Sequence, residues 1–308
     1  MSVFCLVCSN PKLFSFQSIV HKSTGSSVGV CEPMKTSKVA IVKGSRSHEP
    51  VFTALNMIDL KRILSGCPRV LIKVNFITTM TWETGATTDP MVVEALIIKL
   101  KSLSKEVYVV ESDATMTSAD QAFEVTGMKE MCKRNNVEWL NLRYDTDRVK
   151  IPIPNFETLK NITVPRIVQE SAIISAAKLK THISTTVTLG MKNMFGLLPD
   201  KFKARYHSKG ISKVIVDINS VLKPRLTVID GFIGMEGLGP TNGTPIQMDL
   251  IIVGDDPVAT DATACRVMGI DPHEVTHIQR AYEKGFGNID DIQIEGENLK
   301  EVTRKFLM

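Results

Sequence analysis

The chain is short of the features that mark several large functional classes. Aromatic residues are only 6% of its 308 residues, too few for a base-stacking surface. Net charge is only +4, so no global field points to nucleic acid or to a membrane as partner. No window of about 18 apolar residues occurs, so no transmembrane helix is expected. Cysteine is sparse and scattered: Cys5, Cys8, Cys31, Cys67, Cys132 and Cys265. Cys5 and Cys8 form a CxxC pair, but no second pair follows at metal-ligand spacing. A closed zinc site or iron–sulfur cluster is therefore not expected from this chain. Isolated thiols of this kind read as reduced residues of a cytoplasmic protein.

Acidic residues are scarce in residues 1–33, where Glu32 stands alone among Ser, Phe, Cys and Lys. Met34 then opens a short polar lead into the strand-like Val39–Val42. We read Met34 as the natural start and residues 1–33 as a non-native or disordered extension. A transit-like targeting peptide is the alternative, although arginine and a sustained apolar segment are both missing.

What is present is an ordinary globular composition, 43% hydrophobic and 23% charged, enough for one large or two modest domains. Strand-like and helix-like stretches alternate from Met34 onward. Strands are expected at Val39–Val42, Val70–Val74, Val107–Val110 and Val137–Leu142, then at Ala172–Ser175, Leu226–Ile229, Asp249–Val253 and Ile292–Glu295. Helices are expected at Val51–Leu64, Val92–Leu103 (opened by Asp89-Pro90), Gln121–Asn135, Ser212–Leu222, Pro257–Met268 and His273–Lys284. This is the rhythm of an α/β fold, with mostly parallel sheets and helices on both faces. We place two lobes in it, residues 34–170 and 171–308.

Ligands of open α/β sheets bind outside the carboxyl ends of strands. Polar residues follow every central strand: Lys73 and Asn75, with Thr88 and Asp89 across a loop; Glu111, Ser112 and Asp113; Asp230, Glu236 and Gly237; and Asp255-Asp256. The richest stretch is Ser175–His207, which holds Lys178, Lys180, His182, Thr188, Lys192, Asn193 and His207. Cations among small hydroxyl residues present donors to an anionic or oxygen-rich ligand. The alternation of Lys178 and Lys180 would let both point one way. Lys192, between apolar neighbours, could have a lowered pKa and serve as a nucleophile or imine-forming amine. The Gly231–Pro245 stretch, with five glycines, reads as a long loop able to approach a ligand closely.

The segments KLKTH (Lys178–His182), TLGMKN (Thr188–Asn193), GLLP (Gly196–Pro199), Asp230-Gly231, Glu236–Pro240 and Asp256–Asp261 resemble the domain of unknown function family numbered 362. The resemblance runs from about Val39 to Gly287. Some members of that family carry a ferredoxin-like segment of clustered cysteines and are labelled iron–sulfur proteins. This chain has no such cluster, so the resemblance implies at most a separate ferredoxin-like partner. The order of features is also similar to the nickel-pincer lactate racemase family. That likeness implies a lactate-racemase-like fold, Lys192 as the tether of a covalent cofactor, His182 for proton transfer and His207 as a metal ligand. The chain departs from the pattern at Ser112-Asp113, where that family has a catalytic histidine.

The expectation is therefore an α/β protein that binds an anionic small molecule or cofactor between its lobes. Lys192, His182 and His207 are the candidate catalytic groups. Lys73, Asn75, Thr88, Asp89, Ser112, Asp113, Lys178, Lys180, Thr188, Asn193, Asp230, Glu236 and Gly237 are the candidate binding groups. Isomerase or redox chemistry is one reading; a non-catalytic ligand-binding or ferredoxin-associated accessory protein is the other.

Overall fold

The apolar runs of the chain become strands buried on both faces, as a parallel sheet covered on each side requires. The computed structural model describes residues 36–308. The expectations for residues 1–33, for Met34 and for Cys5, Cys8 and Cys31 lie outside them. The strands are β1 (Ser37–Lys43), β2 (Arg69–Lys73), β3 (Glu106–Glu111), β4 (Glu138–Asn141), β5 (Arg148–Pro152), β6 (Asn161–Pro165), β7 (Ala172–His182), β8 (Thr186–Val187), β9 (Leu226–Glu236), β10 (Thr244–Gly254) and β11 (Ile292–Gly296). Eight of them form one sheet in the order β11-β1-β10-β9-β7-β2-β3-β4, with β8 paired to β7 as its ninth strand. β10 runs antiparallel to both its neighbours, and the other seven strands on this path run parallel. β5 and β6 form a separate antiparallel ribbon.

Alternate residues of the strands feed two cores. Val39, Ile41 and Leu71 pack with Val214, Ile215, Val258 and Ile278 from helices Ile211–Val221, Pro257–Val267 and Thr276–Glu283. Ala40, Val42, Val70 and Ile72 pack with Val51, Leu55, Val93 and Leu96 from helices His48–Met57 and Pro90–Ser102 on the other face.

Two lobes divided at residue 170 are not seen. β7, which opens the expected second half, pairs in parallel with β2 of the first and with β9 on its other side. Its residues are buried along the whole strand, so it belongs at the centre of one sheet. The described residues, 36–308, fall within a single compact unit.

Several elements differ from expectation for local reasons. The helix expected at Val51–Leu64 stops at Met57, because Ile58 is extended and Asp59 caps a new turn, Leu60–Ile63. The helix expected at Gln121–Asn135 divides at Gly127, whose φ is +77°. The glycine-rich stretch is mostly strand: β9 continues to Glu236 and β10 begins at Thr244. Because β10 is antiparallel, its exit lies at the opposite edge from the exits of β2, β3 and β7. Asp256 there caps helix Pro257–Val267 by accepting from the Val258 and Ala259 N–H groups.

Candidate functional site

The carboxyl ends of β2, β3 and β7 open into a cavity of about 630 Å³, a size usual for small-molecule and cofactor sites. Its floor is a hydrogen-bonded knot. Lys73 donates to Glu111 Oε2 at 2.8 Å, to the Val74 carbonyl at 2.6 Å and to Asn193 Oδ1 at 3.1 Å. All three ammonium protons are thereby used. Asn193 donates to the Lys73 carbonyl at 2.9 Å and to Ser175 Oγ at 3.1 Å, and Asn75 Nδ2 donates to Asn193 Oδ1 at 3.1 Å. Gly196 lets this knot close, since a Cβ there would collide with Lys73 Nζ and Glu111 Oε1.

The short helix Leu189–Asn193 carries Lys192 and is pinned at both ends. Asp261 accepts from the N–H of Gly190 at 2.7 Å and of Met191 at 2.8 Å, while Asn193 ties the last residue to the floor. The approach to the helix is strained: Thr186 and Leu189 have φ of +65° and +46°. Each such residue costs about 1–3 kcal/mol and is found where the surroundings over-determine it, ligand sites among them.

Lys192 lines the cavity and has no hydrogen-bond or ion-pair partner among the described residues. Lys180 Nζ donates to the carbonyls of Ala86 at 2.5 Å and Pro240 at 3.3 Å. Lys203 Nζ donates to Ser112 Oγ at 2.7 Å. Four lysines (Lys73, Lys180, Lys192 and Lys203) thus line the cavity against one carboxylate, Glu111, which is paired with Lys73. Four less one leaves three lysines without an anionic partner.

Removal from water disfavours the ammonium form. Burial, then Lys203 and Lys73, push Lys192 down to about 8. Burial also pushes Lys203 down to about 8, against the pull of Glu111. Lys180 is held well below the ordinary lysine range by burial and by Lys192 and Lys178. The His182 ring is pushed down to about 2 by burial, with Lys192 and Lys180 adding to it, and stays neutral. His182 Nδ1 accepts the Ser184 N–H at 3.0 Å, which places the ring proton on Nε2 as a donor. His207 is at the exposed edge of the cavity, its pKa lowered by partial burial and by Lys192.

Of the residues expected in the site, Lys73, Asn75, Ser112, Lys180, His182, Thr188, Lys192, Asn193 and His207 come together here. Lys178 does not. A register shift between β7 and β9 separates its surroundings from those of Lys180, and Lys178 pairs with Asp230 at 2.8 Å in the interior, both fully buried. Asp230 also accepts the Asp89 N–H at 2.8 Å, and Asp89 holds Arg46 at 2.6 and 2.8 Å. Thr88 Oγ1 accepts the Asn75 N–H and donates to the Ala176 carbonyl. Asp113 binds Arg143 and caps at Ala119 N–H. Glu236 and Gly237 hold the C-terminal tail through the Leu307 N–H and carbonyl. These groups brace the fold around the cavity and do not line it. Lys203 and Asp261 were not among the expected site residues, and Glu111 was named at its strand exit without a binding role. Glu111 and Asp261 lay inside stretches already singled out. Lys203 had no distinguishing signal beyond its place in the Ser175–His207 run.

The side chains of the described residues do not by themselves enclose a metal ion. The lone pair of His182 that could bind a metal is already taken by a backbone N–H, and its other nitrogen carries the proton. Among the described residues no three His, Cys, Asp or Glu side chains are grouped so as to hold a metal, and His207 stands without such companions. Cys67, Cys132 and Cys265 are free thiols.

The profile of the family described as Domain of unknown function (DUF362) matches residues 70–266. That range includes every cavity lysine and Asp261. Thylakoid-associated protein sll1697 of Synechocystis sp. (strain ATCC 27184 / PCC 6803 / Kazusa) is 27% identical over 214 residues, covering 66% of this chain and 64% of that relative. The match therefore spans less than two thirds of the relative's length. No solved structure matches the chain. No helix among the described residues is long and apolar enough to cross a membrane.

Proposed function

The chain belongs to the family described as Domain of unknown function (DUF362), and from that premise we propose that it binds an anionic small molecule or cofactor in the cavity at the strand ends and acts on it through the Lys192 amine. The observation that carries this reading is the set of three cavity lysines without an anionic partner. Buried cations need counter-charge, and a ligand with several anionic oxygens would supply it. His182 Nε2 and the otherwise unpartnered Thr188 hydroxyl offer neutral donors beside them.

The helix that carries Lys192 is anchored at both ends, which suits an amine held for attack. With its pKa near 8, a useful fraction of Lys192 is neutral around pH 7–8. A neutral amine can add to a carbonyl carbon of the ligand and expel water to form an imine. That step is common to isomerase chemistry and to some redox chemistry. One observation favours the non-catalytic reading: Glu111, the one cavity carboxylate, is fully engaged and is not a free general base. A carrier or ferredoxin-associated accessory protein would need only the lysines. The thylakoid association of the Synechocystis relative favours a place at a membrane surface over a free cytoplasmic one.

The test is trapping with 2-oxoglutarate and borohydride, followed by peptide mapping. A reduced adduct on the peptide bearing Lys192, absent in Lys192→Gln, is expected. Labelling spread over surface lysines and equal in the variant would overturn the enzymatic reading.

A further inference from the structure

Five exposed large apolar side chains stand on the segments that border the cavity. Met80 and Met116 line it, and Ile183, Phe202 and Leu238 lie within two residues of His182, Lys203 and Pro240, which also line it. Exposure is 93% for Met116, 74% for Ile183, 73% for Phe202, 68% for Leu238 and 39% for Met80. The loops that carry them are fastened in pairs. Thr115 Oγ1 donates to the Lys201 carbonyl at 3.3 Å, and the Ile183 N–H donates to the Gly239 carbonyl at 3.1 Å. Single exposed apolar residues are ordinary, whereas a group of them around one opening marks an interaction surface.

The charge inside that opening is the second observation. Lys180, Lys192 and Lys203 lack anionic partners, and the exposed Lys201 adds a further cation beside Phe202. We propose that this mouth docks on a bilayer containing anionic lipid, with the apolar tips entering the interface and a lipid phosphate reaching the cavity lysines. The proposal rests on the anion-binding reading and names its ligand class. Apolar insertion combined with cations near the headgroups is how peripheral proteins hold anionic membranes. The apolar residues stand on separate loops and not on one helix or strand, which suits a fluid interface better than a fixed protein groove. The small net charge argued against a membrane partner, but a total does not measure a field concentrated in one cavity.

The test is flotation of the full chain with vesicles of phosphatidylcholine alone and of phosphatidylcholine mixed with phosphatidylglycerol, beside a solution titration with inorganic pyrophosphate. Binding to the anionic vesicles alone is expected, with pyrophosphate competing. The double variant M116S/F202S should bind roughly tenfold or more weakly, because two inserted apolar side chains are lost. Ile98→Ser, a loss of exposed apolar surface elsewhere, should bind as the unaltered chain does. No binding to anionic vesicles, equal binding to phosphatidylcholine, or unchanged binding by M116S/F202S would overturn the proposal. If pyrophosphate still binds in those cases, the anion site stands without the lipid. If neither probe binds, both fall.

Discussion

Replacing Lys192 with methionine should make the protein more stable while removing its ligand affinity. Lys192 sits in the cavity without a partner among the described residues, and its pKa falls from the ordinary 10.5 to about 8. At about 1.4 kcal/mol per tenfold, that shift corresponds to at most about 3–4 kcal/mol. Lys192 is only partly buried, so the expected gain for Lys192→Met at pH 7 is about 1–2 kcal/mol. The pH dependence identifies the cause. Between about pH 8 and 10.5 the unfolded chain holds the proton and the folded chain does not, so the unaltered protein gains stability as pH rises. The advantage of the variant is therefore full at and below pH 8 and fades toward pH 10.5. Urea unfolding at several pH values measures it. A variant less stable at pH 7, or a difference flat with pH, would refute the idea that Lys192 carries an uncompensated charge.

Asp230→Asn leaves Lys178 buried without its counter-ion and should cost about 3–5 kcal/mol by urea unfolding. The folded protein should keep its anion affinity, because that pair braces the sheet outside the cavity. Asp261→Asn loses one of the two amide bonds that start the Lys192 helix. It should cost about 1–3 kcal/mol and weaken anion binding measured by thermal shift. Burial holds Asp261 up at about 7, so the folded chain keeps a proton that the unfolded chain releases as pH rises from about 4 to 7. The unaltered protein should lose stability through that window, and Asp261→Asn should not; equal pH profiles would refute it.

Much of the site was legible because strand-exit chemistry and sheet topology coincide. Lys73, Ser112, Lys180 and Lys192 all follow from asking what stands at the carboxyl ends of apolar runs. The rule failed at Asp255-Asp256, since no local signal shows that β10 runs antiparallel and exits at the opposite edge. It failed at Lys178 for another reason. Simple alternation placed it beside Lys180, but the register shift and the buried Asp230 depend on pairing with a strand about fifty residues away in sequence. The single sheet was likewise invisible locally. Ala172–His182 reads as the start of a second unit until its parallel partners β2 and β9 are known. The apolar mouth had no periodic pattern to betray it, because its members are scattered over separate loops.

Calorimetric titration with inorganic pyrophosphate across pH decides whether the cavity is an anion site. One site per chain is expected, with affinity that declines above about pH 8 as Lys192 and Lys203 lose their protons, and a drop of roughly tenfold or more in Lys192→Gln. Lys61→Gln, in the Leu60–Ile63 turn outside the cavity, should leave the affinity unchanged. No measurable heat, or equal affinity in Lys192→Gln and the unaltered chain, would contradict the anion-site reading.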